Sequence, residues 1–324
     1  MEIANFNRYP LIHIGLMKAG STFLQGKLFK SKYGYIQPFS IKEFIQPKIS
    51  ACPILRLDND KLKREIKKIV EKHEMSNQRI VFSYEGLAGN LHSGSVTAKE
   101  NADKIKLIFP EGKVLLIIRE QKSIILSSYY HYLKLGGVKS LNNYLRGFPY
   151  SKSIFNSLAL HHFNLPQLEY NYLIKYYIDL FGHDNVKVLP LELFKVSPLY
   201  FINNILYFSD IKELDHLPEE FSTVSGATLS PTSIKLKRLL NFIMVQSEFY
   251  PSPLFGNIGW RYQNILVQNL KRIDYHNLIP KKINKAIKER DQYVINSFLS
   301  EYYKESNNST AELIGFDLRK LGYS

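Results

Sequence analysis

The sequence predicts an α/β fold in which a central, mainly parallel sheet is flanked by helices and the C-terminal part is helical. Through the first two thirds of the chain, short apolar runs typical of buried strands alternate with segments whose apolar residues recur at helical spacing. The final third is mostly helical, with helices predicted over 233–244, 262–270 and 281–303. No internal repeat or low-complexity linker divides the 324 residues, so we expect one domain over 1–324.

The first predicted strand and helix enclose a glycine-containing turn. The apolar run 11–14 predicts the strand, and apolar residues at helical spacing predict a helix that begins near Ser21. The free N–H groups of the first helical turn and the positive end of the helix dipole both face this turn. Lys18 adds a full charge, and Ser21 and Thr22 add hydroxyl donors. We therefore predict a phosphate site; a plain glycine turn is the alternative.

The turn differs from two common phosphate-binding motifs. Gly15 and Gly20 have the spacing of a G-x-x-x-x-G-K-[ST] loop, but Ser21 stands where that loop needs a lysine. The lysine of the turn, Lys18, lies upstream of the second glycine, which argues against an ordinary ATPase or GTPase. The turn also lacks the second glycine of a G-x-G-x-x-G dinucleotide fingerprint.

The remaining elements are predicted in order along the chain. We predict strands over 33–39, 79–86, 113–118 and 186–189, helices over 60–73, 97–109, 121–134 and 168–181, and an irregular segment over 41–56. Ligands of open α/β sheets gather at the carboxyl ends of the strands. Ser83 and Glu85 at the end of one strand, and Arg119 at the end of the next, are therefore candidate functional residues.

Arg119 and a serine on the following helix form a second candidate motif. Ser127 lies eight residues beyond Arg119. A guanidinium can make bidentate, charge-assisted bonds to a phosphate that also accepts a bond from a serine hydroxyl. We therefore predict a second phosphate site. Ser128 is an alternative to Ser127 by one position, and a surface ion pair is the alternative role for Arg119.

Both motifs resemble those of the sulfotransferases that depend on PAPS (3′-phosphoadenosine 5′-phosphosulfate). The stretch K-A-G-S-T-F-L resembles the 5′-phosphosulfate loop of that family, K-x-G-[ST]-T-x-L, and R-x7-S followed by S-Y-Y-H-Y resembles its 3′-phosphate motif. The tail that begins at Glu305 is similar to the C-terminus of many bacterial carbohydrate-type members. The resemblance implies a P-loop-type, three-layer fold. It also implies that no metal is needed and that PAPS binds to Lys18, Ala19, Gly20, Ser21, Thr22, Phe23, Arg119 and Ser127.

The later part of the chain bears on the branch of that family. Glu192 and Pro198 match a family segment Y-E-x-L-x-x-x-P, in which Leu191 replaces the usual tyrosine. Cytosolic small-molecule members carry an R-K-G-x-x-G-D-W segment that closes over the nucleotide. Its nearest match here, over 256–261, lacks the leading Arg-Lys pair and the aspartate. This departure favours the carbohydrate-type branch over the phenol and steroid branch.

Sulfuryl transfer needs a group that stabilises the leaving nucleotide and a base that takes the acceptor proton. Lys18 is the candidate for the first task, aided by the N–H groups of residues 20–22. The resemblance implies a glutamate base in the glycosaminoglycan-type branch, and Glu85 stands at that place. His92 is the second candidate base, and a structural salt bridge is the alternative role for Glu85.

The formal net charge of +14 fits several partners. Nucleic acid is the generic one, a polyanionic nucleotide with an acidic acceptor fits equally, and solvated lysines are a third explanation. The 22 tyrosines lie in apolar stretches and are not interleaved with arginine, so no nucleic acid partner is expected. A single cysteine, no secretory signal and no apolar window of about 20 residues predict a cytoplasmic protein without a transmembrane segment.

The weakly patterned segment 138–166 is predicted to be an acceptor-binding lid or insertion. Its candidate contacts, each with a solvated loop position as the alternative, are Lys139, Arg146, Lys152, His161 and His162. The predicted function is transfer of the sulfuryl group from PAPS to a hydroxyl or amine of a saccharide or glycoconjugate. The alternatives are a P-loop-type nucleoside-phosphate kinase and a non-enzymatic basic binding module for acidic glycans or nucleic acid.

Overall fold

The computed structural model describes residues 10–73, 78–146, 162–222, 229–244, 260–276 and 280–323. The chain forms two compact units. The first comprises Met1–Glu120, Pro166–Val224 and Tyr303–Ser324, and the second comprises Gln121–Leu165 and Ser225–Tyr302. A single domain over 1–324 stays a prediction.

The first unit contains a five-stranded parallel sheet. Its strands are β1 (Leu11–His13), β2 (Tyr35–Ile36), β3 (Arg79–Ser83), β4 (Lys113–Ile118) and β5 (Val186–Pro190). They lie in the spatial order β2-β3-β1-β4-β5, and every neighbouring pair is parallel. All residues of β1 and β3 and all but the first of β4 are buried, as expected for parallel strands covered on both faces. The predicted α/β class with a central parallel sheet is confirmed.

Helices make up most of the rest of the described chain. They are α1 (Ser21–Phe23, continued by a π-helical turn over Leu24–Leu28), α2 (Asn59–Glu71), α3 (Ala98–Ile108), α4 (Gln121–Lys134), α5 (Leu141–Leu145), α6 (Tyr170–Phe181), α7 (Leu191–Val196), α8 (Pro198–Phe208), α9 (Glu219–Ser222), α10 (Pro231–Met244), α11 (Trp260–Tyr275), α12 (Lys281–Leu299) and α13 (Lys304–Ile314). In its described residues, the second unit contains α4, α5 and α10 to α12. Within the described ranges, no helix is both long and apolar enough to cross a bilayer.

The helices of the first unit cover both faces of its sheet. The connection from β1 to β2 runs along the sheet in one direction, and the three later connections run in the other. Crossover connections between parallel strands are almost always right-handed. This rule places α1 on one face of the sheet and α2, α3 and α6 on the other. The packing agrees with this rule. The ring centroid of Phe23 on α1 lies 4.7 Å from that of Phe194 on α7 and 5.3 Å from that of Phe221 on α9, whereas α6 packs against α3 and α13. The predicted three-layer, P-loop-type arrangement is confirmed.

The prediction of an irregular segment over 41–56 is wrong for its first ten residues. Ile41–Ser50 forms a π-helix, although Pro47 lies inside it. The Ser40 hydroxyl accepts a bond from the Glu43 N–H, 3.3 Å long, and caps the first turn. Phe44, Ile45 and Ile49 are buried on one side of this helix. The burial of these three side chains outweighs the unfavourable helix propensity of proline.

The second unit packs an aromatic cluster against α4. The bounds of α4 agree with the predicted helix, and the Gly137 N–H bonds to the Tyr132 carbonyl at 2.9 Å beyond its end. The ring centroid of Tyr144 on α5 lies 5.4 Å from that of Tyr129 and 4.7 Å from that of Phe163. Part of the predicted lid is therefore helical and packed, because Leu141, Tyr144 and Leu145 are buried.

Candidate functional site

The sheet has a switch point between β1 and β4. These strands are neighbours, but the connection after β1 leads toward β2 and the connection after β4 leads toward β5 at the opposite edge. A crevice opens at the carboxyl ends of two such strands, and ligands of open α/β sheets bind in it. The turn 15–20 follows β1 and Arg119 follows β4, so both predicted motifs begin at this point.

The turn after β1 has a strained, tightly packed backbone. Lys18 has φ 67° and Gly20 has φ 90°, both in the left-handed region, which a lysine seldom adopts. A β-carbon on Gly20 would lie 2.9 Å from Leu191 Cδ1, the end of a flexible side chain that can move, so the need for glycine there is mainly conformational. The Gly20 carbonyl accepts the Phe23 N–H at 2.9 Å, and the helix begins at Ser21, as predicted.

Arg119 contacts the turn directly. Its Nη1 donates to the carbonyl oxygen of Lys18 at 2.7 Å. The buried hydroxyl of Tyr170 donates to the Arg119 carbonyl at 2.6 Å and holds the end of β4 in place. Arg119 Nε is buried and has no hydrogen-bond partner in the part of the chain that the structure describes. The guanidinium thus lies beside the turn, with donors beyond the one that the Lys18 carbonyl takes.

A network of hydrogen-bonded side chains leads from the buried end of β1 to the half-buried Glu85. His13 Nδ1 lies 2.7 Å from Ser83 Oγ, because the two residues are paired in the register of β1 and β3. Gln25 Nε2 lies 3.1 Å from Ser83 Oγ and 3.4 Å from Glu85 Oε2. Complete burial lowers the pKa of His13 to about 3, so its imidazole is neutral. We call His13, Ser83, Gln25 and Glu85 the His13–Glu85 network.

Glu85 and His92, the two candidate bases, differ in exposure. Glu85 is half-buried and opens a short 3₁₀ helix, Glu85–Ala88, just after β3. His92 is only 3% exposed, in the turn Leu91–Ser93, where its N–H donates to Asn90 Oδ1 at 2.9 Å. The carboxylate is therefore the more accessible of the two groups.

Glu192 makes hydrogen bonds that connect the residues just after β4 and β5 with Tyr323. It lies at the start of α7, directly after β5, and is 9% exposed. Its Oε1 accepts the Glu120 N–H at 3.2 Å, and its Oε2 accepts the Tyr323 hydroxyl at 2.9 Å. Burial raises the pKa of the Tyr323 phenol well above its usual range, with the Glu192 charge adding to the effect. Glu192 and the predicted family-like tail thus have a structural role beside the switch point.

The other predicted site residues lie in the second unit or outside the described residues. Ser127 is half-buried on α4, and its neighbour Ser128 is 1% exposed. Arg146, a candidate acceptor contact, is exposed, and its Cζ lies 5.8 Å from the ring centroid of Phe298. Burial lowers the pKa of Lys139, another of these candidates. Lys152, His161 and residues 256–259 of the segment 256–261 lie outside the described residues.

Sequence reasoning missed His13 and Gln25 and gave Ser83 no defined role. A histidine inside an apolar strand, and a glutamine one helical turn beyond Ser21, are visible in the sequence. Their connection depends on the pairing of β1 with β3, which brings residues 70 positions apart into contact. In the described part of the chain, no three His, Cys, Asp or Glu side chains come together as a metal site.

Comparison with known proteins gives structural neighbours only. No protein-family model matches the chain, and no curated protein matches its sequence. A sulfotransferase from Alicyclobacillus acidocaldarius is similar over 72% of this chain and 93% of its own, with 16% identity and a TM-score of 0.48. Mouse sulfotransferase SULT7A1 complexed with PAP is similar over 87% of this chain and 88% of its own, with 13% identity and a TM-score of 0.28. Because both TM-scores are low, the assignment of a function depends on the residues of the site.

Proposed function

We propose that this chain is a sulfotransferase that moves the sulfuryl group from PAPS to a hydroxyl or amine of a saccharide or glycoconjugate. The observation that carries the proposal is the hydrogen bond of 2.7 Å from Arg119 Nη1 to the Lys18 carbonyl. Through it, the leading residues of the two phosphate motifs meet at the switch point between β1 and β4. A donor with phosphate groups at both its 5′ and 3′ positions uses both motifs, whereas a nucleoside triphosphate leaves the Arg119 motif without a role.

The turn has the properties that the phosphosulfate end of such a donor requires. The N–H groups of Ser21 and Thr22 precede the first bonded N–H of α1, which is that of Phe23, and such leading N–H groups can bind an anion. The Ser21 hydroxyl oxygen is buried and has no hydrogen-bond partner among the described residues. Lys18 supplies the positive charge, and the missing side chain at Gly20 lets an anion approach the backbone. We assign Ala19, Thr22 and Phe23 to the same donor site by their place in the motif.

The proposed chemistry breaks one S–O bond and forms another. PAPS supplies the activated sulfuryl group. Lys18 and the N–H groups of the turn stabilise the negative charge that develops on the oxygen between sulfur and the 5′-phosphate as that bond breaks. Glu85 takes the proton of the acceptor hydroxyl while the acceptor oxygen bonds to sulfur. We favour Glu85 over His92 as the base because Glu85 is the more exposed of the two and Gln25 holds its carboxylate.

Arg119 and Ser127 are proposed to bind the 3′-phosphate. Ser127 is favoured over Ser128, because Ser128 is 1% exposed whereas Ser127 is half-buried. A saccharide or glycoconjugate acceptor is supported by the similarity of the tail to carbohydrate-type members. The net charge of +14 also suits an acidic acceptor.

The first test is calorimetric titration of the full chain with adenosine 3′,5′-bisphosphate and, in parallel, with ADP, in EDTA and without added metal. We expect tight binding of the bisphosphate and weak binding of ADP. Equal or absent binding of both nucleotides overturns the proposal. Phosphoryl transfer that requires Mg²⁺ would instead indicate a kinase, and salt-sensitive glycan binding without turnover would indicate a binding module.

The Arg119→Ala variant tests the assignment of the 3′-phosphate. Loss of a hydrogen bond to a charged group costs about 1.5–3 kcal/mol, so PAPS binding should weaken by roughly 10-fold to 150-fold. Binding of adenosine 5′-phosphosulfate, which lacks the 3′-phosphate, should change far less. The matched control is Arg56→Ala, which removes an exposed arginine of the same unit. Equal losses for the two ligands would contradict the assignment.

A further inference from the structure

Two buried polar atoms face the same point beneath the turn. His13 Nε2 and Ser21 Oγ are both buried, and neither has a hydrogen-bond partner within the described ranges. A β-carbon on Gly15 would lie 2.5 Å from His13 Nε2 and 3.0 Å from Ser21 Oγ. Any side chain at position 15 would therefore require the buried His13 ring to move. Buried side-chain donors and acceptors are nearly always paired, so two unpaired atoms at one point of a ligand-binding turn require an explanation.

The hydrogen bonds of the His13–Glu85 network determine which atoms carry its protons. The Glu85 carboxylate only accepts hydrogen bonds, so the NH₂ group of Gln25 must face it, and the second N–H of that group reaches Ser83 Oγ. Ser83 Oγ accepts this bond and keeps one proton to donate. Among the described residues, the acceptor offered to that proton is His13 Nδ1, at 2.7 Å.

This arrangement of protons determines the tautomer of His13. An imidazole that accepts a bond at Nδ1 and is neutral carries its proton on Nε2. The neutral state follows from burial, since the side chain is 0% exposed and the pKa is lowered to about 3. The Nε2–H group is thus a fixed donor that faces the backbone of Gly15 and the hydroxyl of Ser21.

We propose that His13 is a positioning residue of the donor site, which orients the Ser21 hydroxyl toward a bound oxyanion. When the anion binds, the Nε2–H group donates to Ser21 Oγ, and the Ser21 proton is then directed into the turn. Hydrogen bonds of this kind are often long in the free protein and tighten in the complex. The inference rests on the proposed function of the turn as the site of the 5′-phosphosulfate. It assigns Gln25 and Ser83 to the support of both Glu85 and His13.

Two substitutions at His13 distinguish the roles of its two ring nitrogens, Nδ1 and Nε2. In His13→Asn the amide oxygen takes the place of Nδ1 and keeps an acceptor for Ser83, but no donor reaches the turn. In His13→Gln the amide nitrogen can take the place of Nε2. By calorimetry with adenosine 3′,5′-bisphosphate, we expect His13→Asn to weaken binding roughly threefold to tenfold, the usual effect of one neutral hydrogen bond, and His13→Gln to restore part of the loss.

A double-mutant cycle distinguishes positioning from a general structural effect. If His13 acts through the Ser21 hydroxyl, His13→Asn should have little further effect in a chain that already carries Ser21→Ala. Losses that add fully would overturn the inference, as would wild-type affinity in His13→Asn. His183→Asn, which changes an exposed histidine of the same unit, is the matched control.

A second measurement uses the wild-type chain and needs no variant. Nitrogen-15 spectra of the histidine rings should show His13 with its proton on Nε2 from about pH 5 to about pH 8, and this proton signal should shift when the bisphosphate binds. A proton on Nδ1 would overturn the inference. If the wild-type chain binds no bisphosphate, the proposed function fails and the inference fails with it. If the chain binds the nucleotide and the variants behave like wild type, the inference alone fails.

Discussion

Burial of a neutral histidine under the turn makes the first unit sensitive to acid. His13 has its pKa lowered from 6.5 to about 3 by desolvation alone. The unfolded chain therefore binds a proton at this residue between these two values, and the folded chain does not. Stability from this source is complete above about pH 6.5 and is lost as the pH falls toward the folded value.

The size of the effect follows from the two pKa values. Each unit of pH inside the window costs about 1.4 kcal/mol per proton, and integration from about pH 7 to about pH 5 gives a loss of about 2 kcal/mol. Acidic groups with lowered pKa, such as Glu100 and Asp103, lose their contribution only at still lower pH. His13→Asn should be less stable than wild type at neutral pH, but it should lack about 2 kcal/mol of the acid-induced loss.

Hydrogen exchange of the backbone amides of β4 gives the free energy of opening of the first unit, because the most protected amides report global opening. The exchange rates at each pH are corrected for the intrinsic pH dependence of exchange. His183→Asn, at an exposed position, should keep the wild-type slope. An equal slope of opening free energy against pH in wild type and His13→Asn would refute the reasoning, because it would mean that His13 is already protonated or hydrated in the folded chain.

Three further substitutions, and a fourth as a control, test single features of the site. Gly20→Ala should destabilise the chain by about 1–2 kcal/mol in urea unfolding, since φ is 90°, whereas Gly26→Ala in open helical space should stabilise it by about 0.5–1 kcal/mol. Tyr323→Phe should cost about 1–3 kcal/mol in the same assay, because it leaves a buried oxygen of Glu192 unpaired. Glu85→Gln should lower kcat roughly 10²-fold to 10⁴-fold in a sulfuryl-transfer assay, because it removes the proposed base.

Each of these expectations has a clear contrary result. Equal effects of alanine at Gly20 and Gly26 would mean that the turn does not need its left-handed conformation. A neutral Tyr323→Phe would mean that the C-terminus does not hold Glu192. Full activity in Glu85→Gln, together with loss in His92→Asn, would make His92 the base.

Elements with a simple burial pattern could be predicted from the sequence. The strand 113–118 and the helix 121–134 agree with β4 and α4 at both ends. A parallel strand covered on both faces is an unbroken apolar run, and such a run is visible without knowledge of its neighbours. The glycine turn and the start of α1 were predictable for the same reason, since the turn chemistry is local in sequence.

Features that depend on contacts between distant segments could not be predicted. Pro47 argued for irregular backbone over 41–56, but the buried side of the π-helix Ile41–Ser50 decides its structure. The contact between His13 and Ser83 requires the order and register of β1 and β3, which apolar periodicity does not specify. The bond from Arg119 to the Lys18 carbonyl likewise depends on β4 lying next to β1.

Because Lys18 has a left-handed backbone conformation, stability and activity favour different residues at this position. A glycine there would relieve conformational strain of about 1–2 kcal/mol, so selection for thermostability alone would remove the lysine. The same change deletes the one cationic side chain of the turn, and with it the group proposed to stabilise the leaving nucleotide. A library of this chain screened for heat resistance should therefore enrich Lys18→Gly, and the enriched clones should be those that have lost the ability to turn over their donor.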